Sequence, residues 1–83
     1  MVGLLEKPER LEVQAAADDT PESLVRNGRT ERIEVFEHWR IVDRWWGKEV
    51  RRDCYRIATS GGLVGEIYRD GVEGGWFLSR VHD

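Results

Sequence analysis

From Leu11 onward the apolar positions of the chain recur mostly two residues apart, the period of a strand with one buried face. Leu11, Val13 and Ala15 alternate with Glu12 and Gln14. Asp18-Asp19-Thr20-Pro21 then reads as a turn. Residues 23–26 form a second short strand, closed by Asn27-Gly28, the dipeptide best suited to a two-residue hairpin turn with positive φ at both positions. The return strand is long. Ile33, Val35, Trp39 and Ile41 share one parity, while Thr30, Arg32, Glu34, His38 and Arg40 take the other. Glu37, Phe36 and Val42 break the alternation, which predicts a bulge or bend near residues 36–38. The run is long enough to hold two strands in succession.

Trp45-Trp46-Gly47-Lys48-Glu49 reads as a connection, followed by a strand over residues 52–59 with Tyr55 and Ile57 on one face and Cys54, Arg56 and Ala58 on the other. Ser60-Gly61-Gly62 is a tight turn, residues 63–69 return, residues 70–75 make a wider turn, and residues 76–81 are the last strand. Before Leu11 the periodicity is absent, so residues 1–9 are expected to be a flexible lead-in and residues 10–83 a single β domain. A helix over residues 4–17 competes on alanine and glutamate content, but Pro8 would interrupt it. The fold class is therefore all-β: a small antiparallel meander of about six strands, curled or barrel-like so that few edges stay open, with no major helix.

The chain has 83 residues, room for one domain whose core must be dense in large side chains. Four tryptophans, two tyrosines and two phenylalanines meet that need. The single cysteine, Cys54, excludes an internal disulfide and fits a reducing cytoplasm. No basic segment followed by an apolar run opens the sequence, and no apolar stretch approaches the roughly 20 residues of a membrane span, so a cytoplasmic protein is expected.

Candidate chemistry is sparse. Cys54, His38 and His82 are the only material for a cysteine–histidine pair, and they read more simply as a small buried hydrophobe and two surface residues. No metal clip such as Cys-x-x-Cys is present, and the glycine pairs lack the Lys-Ser/Thr and helix of a phosphate loop. Asp43, Glu49, Asp53, Glu66 and Asp70 each have an arginine close in sequence, the pattern of solvated cross-strand ion pairs rather than of general acid–base groups. Neither enzyme activity, a metal nor a cofactor is expected.

Charge changes the picture in one place. Glu6, Glu9, Glu12, Asp18, Asp19 and Glu22 make the first 25 residues acidic, whereas Arg40, Arg44, Lys48, Arg51, Arg52 and Arg56 outnumber Asp43, Glu49 and Asp53 in the middle. With Trp45 and Trp46, these arginines form the candidate binding surface: Arg40, Arg44, Trp45, Trp46, Arg51, Arg52 and Arg56. Three readings share that composition. The tryptophans could be packed with arginines lying across them. A tryptophan exposed beside arginines suits a protein contact. Aromatic platforms among phosphate-neutralising arginines suit single-stranded nucleic acid, although the interspersed carboxylates dilute the field.

The order Trp39-Arg40-Ile41-Val42-Asp43-Arg44-Trp45-Trp46, Arg52-Asp53-Cys54-Tyr55-Arg56-Ile57, Gly62, Glu66-Ile67-Tyr68-Arg69-Asp70 and Gly75-Trp76-Phe77-Leu78-Ser79-Arg80-Val81-His82-Asp83 resembles a small bacterial family of stand-alone short proteins. It is also similar to the C-terminal segment of catalytically inactive Y-family DNA polymerase homologues, the accessory subunits of the bacterial mutasome. The resemblance covers residues 22–83. It implies a module without catalysis that works through protein contacts, associated with DNA repair by translesion synthesis, and it supplies no catalytic residues.

Overall fold

Two-residue turns with positive φ organise the chain. Asn27 and Gly28 (φ 50° and 76°) close one hairpin, as their sequence predicts, and Trp46 and Gly47 (φ 52° and 80°) close another. The computed structural model describes residues 2–82, with side chains described from residue 8 to residue 82 except at Trp45. Its elements are β1 (Val2–Ala15), β2 (Pro21–Arg26), β3 (Arg29–Trp45), β4 (Lys48–Thr59), β5 (Val64–Asp70) and β6 (Trp76–His82), with no helix among the described residues. Among these residues no helix is therefore long and apolar enough to cross a membrane.

The strands pair antiparallel in chain order, and β1 returns to pair with β6, closing a six-stranded ring. The ring is not a regular barrel. Register shifts interrupt the β1–β2, β1–β6, β3–β4 and β5–β6 ladders. β1 spends its first part on β6 and its last on β2, and β3 leaves β2 after Arg32. The expected bend is the register shift between Val35 and Glu37, with Phe36 as the extra residue. The long run is one continuous strand that changes neighbours.

Two boundaries differ from the sequence reading. β1 starts at Val2, not near Leu11, with Val2 opposite His82 and Gly3 opposite Val81. Backbone pairing holds that segment in the sheet, and hydrophobic periodicity does not report backbone pairing. The connection expected over residues 45–49 shrinks to Trp46-Gly47, since Trp45 pairs with Lys48.

Leu11, Leu24, Tyr55, Ile57, Leu63, Ile67, Trp76 and Leu78 form the core inside the ring, with Val13, Ile33, Val35 and Val81 packed around it. The wall is drawn in at Gly65, where an added Cβ would run into the carbonyl oxygen of Arg80 on β6. A second, smaller packing lies on the outer face. Cys54 and Tyr68 stand opposite each other there and are buried, Phe77 stacks on Tyr68 at 5.2 Å, and the Arg52 guanidinium lies 4.4 Å over the Tyr68 ring.

Candidate functional site

Length mismatch builds the most distinctive surface. β5 pairs with β4 only from Arg52 to Ala58, and β2 pairs with β3 only from Arg29 to Arg32. The β3–β4 ladder runs on to Trp45 and Lys48, so beyond Arg52 the hairpin projects from the ring as a two-stranded arm. Alternation sends Arg40, Val42 and Arg44 of β3 to the same face as Arg51 and Asp53 of β4, and sends Ile41 to the face of Arg52 and Arg56. The five arginines predicted as part of one surface are thus divided between two faces.

Most of the arginines are already occupied. Arg40 donates to Asp53 at 2.9 Å, and His38 reaches the same oxygen at 3.4 Å while stacking on Tyr55 at 4.3 Å. Partial burial pushes the Asp53 carboxyl up, but the hydrogen bonds from Arg40 and His38 outweigh it and hold the pKa below its ordinary value. Arg51 donates to the Gly71 carbonyl at 2.8 Å and lies 3.8 Å from Glu49. Arg52 covers Tyr68. Arg56 joins Glu37 at 3.1 Å and Glu66 at 3.8 Å, and Glu66 also meets Arg80 and His82, a charge ladder across the outer face. Asp43 accepts the Arg44 backbone N–H at 2.8 Å, and Asp70 accepts from Val72 and Glu73. The expected cross-strand ion pairs are present for Asp53 and Glu66, whereas Asp43 and Asp70 accept backbone N–H groups and Glu49 pairs within its own strand. Arginines do lie over aromatic rings among the described residues, Arg52 over Tyr68 and Arg10 over Phe77. Trp45's side chain lies outside the described residues.

What the arm presents instead is apolar. Among the described residues the exposed large hydrophobics are Phe36, Ile41, Val42, Trp46, Val64 and Val72, and the first four belong to this hairpin. Trp46, in the turn, is 89% exposed. Sequence reasoning marked Trp46 but passed over Phe36, Ile41 and Val42. Their signal was the lost alternation itself: adjacent apolar residues of both parities, flanked by charges, cannot all face one core. Where β2 and β3 part, a groove of about 820 Å³ lined by Pro21, Ser23, Thr30, Ile33 and Val35 leads onto the open edge of β3.

Catalytic geometry is weak among these residues. Burial raises the Cys54 pKa against the opposing Arg52 charge, which keeps the thiol protonated at neutral pH, and His38 lies on the other face of the sheet. No three of the described His, Cys, Asp and Glu side chains come together as metal ligands. Compared with protein-family models, curated proteins and solved structures, the chain matches none.

Proposed function

We propose that the chain is a non-enzymatic, cytoplasmic protein-interaction module whose contact surface is the projecting β3–β4 hairpin. One observation carries the reading: of the exposed large apolar side chains among the described residues, Phe36, Ile41, Val42 and Trp46 all belong to this one hairpin, Phe36 at its bulge, Ile41 and Val42 on opposite faces near its end and Trp46 in its turn. Exposed apolar groups scattered singly are ordinary, whereas several concentrated on one projecting hairpin favour a partner that covers them. Single-stranded nucleic acid is the weaker reading, because guanidiniums that would meet phosphates already meet carboxylates or a ring. The resemblance of residues 22–83 to mutasome accessory segments directs the search for the partner to proteins of translesion synthesis.

The test is site-directed photocrosslinking in extract of the source cells, with benzoylphenylalanine at Val42 or, as control, at the exposed Val72 of the β5–β6 turn. Discrete adducts are expected from position 42 and not from position 72. Adducts at neither position, or equally at both, overturn the reading. Labelled single-stranded DNA that binds at low salt and is released at moderate salt would favour the nucleic-acid alternative.

A further inference from the structure

The arm carries backbone chemistry as well as apolar side chains. On the side of β3 turned away from β4, pairing with β2 ends at Arg32, opposite Ser23. From there to Trp45 no described strand pairs with that side. Because the turn has two residues, Trp45 and Lys48 form a hydrogen-bonded pair, and every second residue back along β3 does the same. Asp43, Ile41, Trp39 and Glu37 therefore bond to β4. Val42, Arg40 and His38 turn their N–H and C=O groups outward, as does Arg44 its C=O, while the Arg44 N–H is held by the Asp43 carboxylate at 2.8 Å. The far side of β4 obeys the same alternation, since the Arg51 carbonyl accepts the Gly71 N–H at 2.7 Å.

The bulge at Phe36 bounds the regular open edge at one end and the turn bounds it at the other, leaving residues 37–45. That segment is centred on Ile41. We infer that it pairs antiparallel with the same segment of a second copy of this chain, about a two-fold axis passing beside Ile41. The inference rests on reading the hairpin as the contact surface.

Register supports the choice of occupant. A two-fold through the sheet sets residues of like parity opposite each other, so few registers are open. Centred on Arg40, the pairing sets Arg40 against Arg40 and Glu37 against Asp43. Centred on Val42, it sets Arg40 against Arg44. Centred on Trp39, it overlaps only residues 37–41 before meeting the bulge. Centred on Ile41, the whole segment is used: Ile41 faces Ile41, Arg40 faces Val42, Trp39 faces Asp43, His38 faces Arg44 and Glu37 faces Trp45. No carboxylate opposes a carboxylate and no guanidinium a guanidinium. Arg40 and Val42 exchange a pair of backbone bonds with their opposites, His38 donates its N–H to the Arg44 carbonyl of the second copy, and the exposed Ile41 side chains meet on the outer face.

Sedimentation velocity of the purified full chain, from micromolar to millimolar concentration, tests this directly. A reversible monomer–dimer equilibrium is expected, with amide exchange at His38, Arg40 and Val42 slowing as concentration rises. Val42→Glu puts a carboxylate beside the second copy's Arg40 and is expected to tighten the dimer about threefold or more. Val42→Arg puts guanidinium against guanidinium and should loosen it about tenfold, each change counting twice by symmetry. Val42→Pro removes an outward N–H and no bond to β4, and should give a monomer whose far-UV circular dichroism is unchanged. A monomer throughout the range, or a dimer indifferent to the sign of the charge at position 42, overturns the inference. Crosslinked adducts of other masses at position 42 would then leave the interaction module standing, whereas their absence would remove both.

Discussion

β4 is one strand that lives in two environments. From Arg52 to Ala58 it is hydrogen-bonded on both sides, to β3 and β5, and Cys54, Tyr55 and Ile57 are buried. From Lys48 to Arg51 it has β3 alone beside it in the ladder, and every described side chain there is exposed or half-buried. Both stretches alternate and both make good ladders. The difference is a second layer: the lower stretch faces Leu11, Leu24, Trp76 and Leu78 across the ring, and the arm faces nothing comparable. Strand pairing alone extends a sheet, and closure is what buries it.

The sharpest way to break that contrast is to remove matched side chains from the two regions. Ile57 is fully buried, so Ile57→Ala should cost about 2–5 kcal/mol in urea unfolding. Ile41 is 41% exposed, and Ile41→Ala should cost about 0.5 kcal/mol or less. Comparable losses would mean that the arm is consolidated like the ring. Such stability measurements belong at low protein concentration, where any association is absent.

Glycines draw the same contrast more finely. At Gly65 an added methyl meets the backbone of β6, a neighbour that cannot swing aside, so Gly65→Ala should cost about 1–3 kcal/mol and lower the whole melting transition. At Gly47 nothing lies within 4 Å of the same methyl, and only the positive φ resists it. Gly47→Ala should therefore cost about 1 kcal/mol, seen mainly as faster amide exchange in the arm. A Gly65→Ala protein that melts like the parent would mean that β5 and β6 have room to spread.

The ring was legible in the sequence because its signals are local. Asn27-Gly28 specifies a turn wherever it sits between strands, and the parity of Tyr55 and Ile57 reports their face directly. The arm was legible only as a disturbance. Whether Ile41 and Val42 are exposed depends on how far β2 and β5 extend beside them, and that length is set elsewhere in the chain. The charge ladder shows the same limit: Arg56 and Glu66 lie opposite each other through a register that no single strand specifies. Reading Arg40, Arg51, Arg52 and Arg56 as one basic surface ignored the alternation that sends them to two faces.

The smallest effect sits where the two regions join. Asp53 belongs to the second-to-last β4–β5 pair before the arm, opposite Arg69, and its carboxylate holds Arg40 and His38 of β3. Its pKa in the folded chain lies below the ordinary 3.8, so the ionised form is the one that folding favours. The stability it contributes is fully present above that ordinary value and is lost as pH falls through the folded value. Asp53→Asn should thus cost less than about 1 kcal/mol at neutral pH, as befits a pair open to solvent, and the difference from the parent should shrink once the parent's carboxyl is protonated. Because the ring's core is untouched, the loss should show as faster amide exchange at Ile41 and Asp43, with little change in the slowest-exchanging amides of the ring. A loss that spreads evenly over both regions, or that persists undiminished in acid, would mean that Asp53 supports the ring rather than bracing the arm.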